Sequence, residues 1–155
     1  MNYVFGDRFE AGYRLAATLR HLRRMPGLLV VAASRNGIPV ACEVAHGLSA
    51  RLIDLHGCGD SAVPAIQGQC ILLVDDGMVT GKTMIRAITT LSRHRPRTII
   101  VAVPVASTQA LLDASHHADQ VISLNTPEEV GALENWYLDM EHLSARQSQR
   151  LLIEA

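Results

Sequence analysis

An α/β fold, with a mostly parallel sheet between two layers of helices, is predicted by three observations. Short, unbroken apolar runs alternate along the chain with segments of helical period, the order expected of parallel strands joined by helical crossovers. The composition is 48% hydrophobic but only 4% aromatic, so small aliphatic side chains must fill the contacts between sheet and helices. The length of 155 residues suits a single domain, residues 1–155, that buries roughly two-thirds of its unfolded surface.

Arg8 to Arg24 repeats apolar residues at Phe9, Tyr13, Leu15, Ala16, Leu19 and Leu22 with arginines between them, the spacing of an amphipathic helix, and Pro26-Gly27 stops it. Leu28 to Ala33 is a short apolar run that reads as a strand buried on both faces, broken by Ser34-Arg35-Asn36-Gly37. Pro39 suits a first helical turn, so a helix is expected from Pro39 to Leu48. Arg51 to Leu55 follows as a strand and His56 to Gly68, rich in Gly, Ser and Pro, as a loop. Ile71 to Val74 is the next buried strand, with Asp75 to Thr83 a polar, glycine-bearing turn after it. Thr83 to Arg93 reads as helix, Thr98 to Val103 as strand, Thr108 to His116 as helix and Gln120 to Leu124 as strand. Beyond Pro127 the pattern weakens, with Ala145 to Ile153 as a terminal helix.

Charge and cysteine content narrow the function classes. Fourteen basic against fifteen acidic residues leave no broad electrostatic footprint, so neither nucleic acid nor an anionic membrane is an expected partner. Cys42, Cys58 and Cys70 are odd in number and lack Cys-x-x-Cys spacing, which supports neither a disulfide framework nor a zinc ribbon; reduced cysteines in a cytoplasmic protein are expected. Met1 to Glu10 carries Asp7, Arg8 and Glu10 rather than the basic start and apolar stretch of a signal peptide. No apolar run approaches the roughly 18 residues of a membrane span.

The chemistry concentrates in Cys70 to Thr83. An apolar strand leads into Asp75-Asp76-Gly77-Met78-Val79-Thr80-Gly81-Lys82-Thr83, and in an open parallel sheet ligands bind beyond the carboxyl ends of strands. The backbone amides of Met78 to Thr83, the Thr80 and Thr83 hydroxyls and the start of the following helix would surround a phosphate dianion. Asp75 and Asp76 accept rather than donate, so their partners are the hydroxyls of a sugar or water on a magnesium ion. Two acids followed by an amide nest describe a ligand with hydroxyls at one end and a phosphate at the other, as in ribose 5-phosphate. A plain Asp-Asp-Gly turn is the bland alternative, which the preceding strand and following Thr-Gly-Lys-Thr disfavour. Gly81-Lys82-Thr83 also ends the P-loop pattern of kinases and NTPases, but that pattern's first glycine falls on Asp76, where an acid would face the triphosphate.

The segment resembles the type I phosphoribosyltransferases, whose signature is an apolar strand, two acids and a threonine- and glycine-bearing phosphate loop. Phe9-Glu10-Ala11-Gly12 with Leu15-Ala16, Ser34 to Ala41, Val101 to Ala106, Leu124 to Pro127 and Trp136 to Asp139 are similar to a bacterial branch of uncharacterised "predicted phosphoribosyltransferase" proteins. The resemblance implies a Rossmann-like, three-layer fold and a pentosyltransferase reaction. It implies phosphoribosyl pyrophosphate (PRPP) and an unidentified acceptor as substrates, magnesium, and Asp75 and Asp76 on the ribose hydroxyls as catalytic and, through water, metal-holding groups. Gly77 to Thr83 would hold the 5-phosphate. Ser34, Arg35, Asn36 and Gly37 match that family's pyrophosphate loop, in which Arg35 would neutralise diphosphate charge. A homodimer accords with the resemblance, and a non-catalytic binder of PRPP or a nucleotide is the alternative function.

Three departures bear on mechanism. Val79 stands where many members have Thr and some an Asp taken as general base, so that base is missing here. Asn36 replaces a glycine common in the branch. The region between Leu55 and Cys70 is short where relatives carry a lid or hood, which normally excludes water and recognises the acceptor. His116-His117 read as solvent-facing, His56 as a loop residue near the site, Trp136 and Tyr137 as packing groups, and Arg93, His94, Arg95 and Arg97 as a solvated loop. Met84 and Ile88 should face the sheet.

Overall fold

The computed structural model describes residues 4–55, 66–140 and 144–154. Strands β1 (Leu28–Ala32), β2 (Arg51–Asp54), β3 (Cys70–Val74), β4 (Thr98–Val105) and β5 (Gln120–Asn125) form one sheet in the order β2-β1-β3-β4-β5, each neighbouring pair parallel. Helices α1 (Arg8–Thr18), α2 (Ile38–Leu48), α3 (Lys82–Ser92), α4 (Thr108–Ser115) and α5 (Ala145–Glu154) flank it. The α/β class and the parallel, helix-covered sheet are as predicted.

The apolar runs of the sequence become strands with both faces buried. Along β1, β3 and β4 successive residues alternate between two cores. Val31, Leu73 and Val101 pack with Met84, Ile88 and Leu91 of α3 and Ala110 and Ala114 of α4. Their neighbours Val30, Leu72 and Ile100 pack with Leu15 of α1 and Ile38, Val44 and Leu48 of α2. The chain steps one way from β1 to β2 and the other way from β3 to β5, so crossovers of one hand put α2 on one face and α3 and α4 on the opposite one. The reversal between β1 and β3 opens a crevice at their carboxyl ends, and that crevice holds the candidate site.

Two predicted boundaries move by more than a residue. The helix from Arg8 stops at Thr18 and continues as a 3-10 turn over Arg20–Leu22; three residues per turn bring Leu19 and Leu22, both buried, to the same side. Strand β4 passes through Pro104 to Val105. Its pairing runs from Val103↔Ser123 to Val105↔Asn125, so the ladder omits the residue that has no amide to give. The predicted loop at His56 falls, up to residue 65, outside the described residues, as do Cys58 and His56 itself; Ile66 is fully buried against the α3 side of the sheet. Among the described residues Cys70 is a free thiol, and no helix is long and apolar enough to cross a membrane.

Candidate functional site

The carboxyl end of β3 delivers Asp75 and Asp76 into the crevice, each only 5% exposed. The loop after β1 lies directly alongside, because Ala32 pairs with Val74 and the Ala33 amide donates to the Val74 carbonyl at 2.9 Å. Ser34 Oγ donates to Asp75 Oδ1 at 2.7 Å, the same oxygen that accepts the Asp76 amide at 2.9 Å. Ser34 also caps the turn over Arg35–Gly37 by accepting from the Gly37 amide. A Cβ on Gly37 would lie 2.5 Å from Asp75 Oδ1 and 2.9 Å from its Cα, so only glycine lets this loop press against the acid. Every described peptide bond is trans.

Asp76 is held from two directions. Arg8 Nε donates to its Oδ2 at 3.3 Å, with both side chains buried, and Tyr137 O–H donates to its backbone carbonyl at 2.6 Å. Arg8 opens α1, where the helix dipole opposes a cation and burial adds to the cost, so the carboxylate is what makes the arginine tolerable there. Burial, with the Asp76 charge adding to it, pushes the Asp75 carboxyl up to about 8. Burial raises Asp76 as well, and the Arg8 charge works against that rise. Burial, reinforced by the Asp76 charge, raises the Tyr137 phenol. The pair is therefore asymmetric, with Asp75 the acid held neutral near pH 7.

The turn that follows is anchored from behind. Met78 donates its amide to the Val105 carbonyl at 2.9 Å, the Ser107 amide donates to the Met78 carbonyl at 3.1 Å, and Ser107 Oγ donates to the Val79 carbonyl at 2.9 Å. Met78 lines the site, but its amide is spent on β4 and leaves the expected cradle, which begins at Val79. Gly81 takes φ +81° and starts α3, a conformation that favours glycine. The first intrahelical bond is Ile85 N–H to the Gly81 carbonyl, so the amides of Lys82, Thr83 and Met84 precede the helical ladder and face no carbonyl within it. Lys82 N–H approaches Thr80 Oγ1 only at 3.4 Å.

These elements enclose a cavity of about 640 Å³ lined by Ser34, Asn36, the whole stretch from Asp75 to Met84, and Leu133, Glu134 and Met140. It brings together both acids, Gly77, Met78, Val79, Thr80, Gly81, Lys82 and Thr83 with two of the four residues expected from the β1 loop. Arg35 is exposed and Gly37 is buried, and neither lines the cavity, since successive side chains of a 3-10 turn point about a third of a turn apart. Arg8, Tyr137, Leu133 and Glu134 were not foreseen as site residues. Their role arises from long-range packing; the local signals are that Arg8 precedes the Phe9-Glu10-Ala11-Gly12 motif and that Tyr137 lies within the Trp136 to Asp139 motif. His116 and His117 are exposed. Trp136 donates its Nε1–H to the Val130 carbonyl and Tyr137 packs its ring on Phe5, the packing roles expected of them.

The family model described as "Phosphoribosyl transferase domain" matches residues 15–138. Among solved structures, the chain is similar to TT1426 of Thermus thermophilus, with 25% identity over 97% of this chain and 98% of that one and a TM-score of 0.84. It shares its fold with the purine phosphoribosyltransferase of Pyrococcus horikoshii (22% identity, 83% and 90% covered, TM-score 0.56). The orotate phosphoribosyltransferase of Aeropyrum pernix has the same fold (19% identity, 76% and 70% covered, TM-score 0.57).

Proposed function

Because this chain belongs to the phosphoribosyl transferase domain family, we propose that it transfers ribose 5-phosphate from PRPP to a nitrogenous acceptor and releases pyrophosphate. The observation that carries the reading is the single cavity in which Asp75 and Asp76 stand between the β1 loop and the amides that open α3. The 5-phosphate sits on the Val79–Thr83 amides and the Thr80 and Thr83 hydroxyls, with Lys82 adding charge. The ribose hydroxyls meet the acid pair, and the diphosphate lies toward Ser34 and Asn36. The acceptor nitrogen bonds to the anomeric carbon as the carbon–oxygen bond to the diphosphate breaks; the electron pair departs with pyrophosphate and the nitrogen's proton passes to water. Holding both ends of the donor supplies the positioning on which such a displacement depends.

Magnesium fits the donor set as an ion shared with its substrate. Among the described residues no cluster of three or more His, Cys, Asp or Glu could cage a metal, whereas one or two carboxylates plus substrate phosphates are a common magnesium environment. Asp75 and Asp76 are the residues that would hold it, directly or through water. The ion would neutralise charge growing on the leaving diphosphate.

Calorimetry with PRPP and magnesium tests the reading. The Asp75→Asn/Asp76→Asn variant is expected to bind at least tenfold more weakly, a change of about 1.4 kcal/mol, and equal affinities would remove the acids from the account. Pyrophosphate release across an acceptor panel then separates an enzyme from a non-catalytic binder.

A further inference from the structure

With phosphate, diphosphate and sugar distributed as above, one wall of the cavity has no assigned partner: Leu133, Glu134 and Met140. These residues come from the segment after β5, and three contacts hold that segment in place, two of them at Asp76 and Gly77. Tyr137 O–H donates to the Asp76 carbonyl. A Cβ on Gly77 would lie 2.5 Å from Leu133 Cδ1, so the leucine occupies the room that the glycine leaves. The Phe5 amide donates to the Trp136 carbonyl at 3.0 Å, which adds the N-terminal strap. The 3-10 turn Leu133–Trp136 therefore presents Glu134, an exposed residue, on a fixed support in the lining of the cavity that holds Asp75 and Asp76.

The chemistry of this wall is selective. It offers two apolar side chains and one carboxylate, and Lys82, the one basic residue among the described residues that line the cavity, belongs to the phosphate end. Val79, 43% exposed, adds apolar surface. Leu133 and Met140 suit a flat ring, while Glu134 accepts hydrogen bonds and repels a further anion in a cavity that already holds the Asp76 carboxylate.

Resting on the phosphoribosyl reading of the site, we propose that the wall of Leu133, Glu134 and Met140 receives the acceptor and that Glu134 determines its class. That class is an uncharged or cationic nitrogen heterocycle presenting N–H donors, with ring carboxylates rejected. Selectivity against a carboxylate-bearing ring comes from charge, so it follows the charge at position 134.

Product nucleotides test this without turnover. Uridine and orotidine 5-monophosphates differ by one ring carboxylate, and calorimetry would compare them on wild type, Glu134→Gln and Glu134→Lys. Wild type is expected to favour the uridine nucleotide at least tenfold, Glu134→Gln only a few-fold, and Glu134→Lys the orotidine nucleotide. Equal affinities in wild type, or a preference unchanged in Glu134→Lys, would overturn the inference while ribose 5-phosphate binding leaves the site reading standing. Failure of wild type to bind ribose 5-phosphate would bring down that reading and the inference together.

Discussion

A carboxyl group sealed beside a second carboxyl group changes how the whole protein responds to pH. Asp75 moves from the ordinary value of 3.8 to about 8, so between those limits the native state holds a proton that the unfolded chain has lost. Stability from this group is fully present below about pH 4 and is lost as pH rises toward 8, with a slope of at most about 1.4 kcal/mol per pH unit. Asp75→Asn removes the titration while keeping the shape. Thermal unfolding from pH 5 to 8 is expected to show wild type losing more stability than the variant, whose remaining slope belongs to Asp76, with the variant the more stable at pH 8. Parallel curves for the two proteins would mean that Asp75 is not the group responsible.

Among the elements, the short join between β4 and α4 does the most to shape the cradle. Ser107 caps α4 by accepting the Ala110 amide at 3.1 Å while its hydroxyl donates to the Val79 carbonyl. Ser107→Ala loses both bonds, and chemical denaturation should report a cost of about 1 to 2 kcal/mol, accompanied by weaker ribose 5-phosphate binding as the loop loosens. The sequence discloses β1, β3 and the acid-bearing turn because each carries a local mark, an unbroken apolar run or a run of acids and glycines. It conceals Arg8, which periodicity assigns to the polar side of an amphipathic helix but which packing buries against Asp76, 68 positions away. Tyr137 and Glu134 are hidden likewise: the Trp136 to Asp139 motif marks the family, but nothing in it assigns either residue to the site. The end of β4 is obscured differently: Pro104 looks like a stop, and only the pairing register shows that the strand continues past it.

At the scale of the molecule, one sheet serves two cores. Leu72 and Leu73 adjoin in β3, both fully buried, yet one packs with α1 and α2 and the other with α3 and α4. Leu72→Ala and Leu73→Ala should each cost about 2 to 5 kcal/mol and lower the midpoint of a single denaturation transition, because neither core exists without the shared strands. Two separated transitions in either variant would show that the faces unfold independently. The crevice between β1 and β3 also divides the chain. The β1 loop proposed for the diphosphate lies before β2 in the chain, and the acid pair and phosphate cradle follow β3, so a join between them separates the diphosphate loop from the rest of the site. Arg8 and Asp76 form the ion pair that spans it. A chimaera joined there keeps that pair only when one parent supplies an arginine at position 8 and the other an aspartate at position 76.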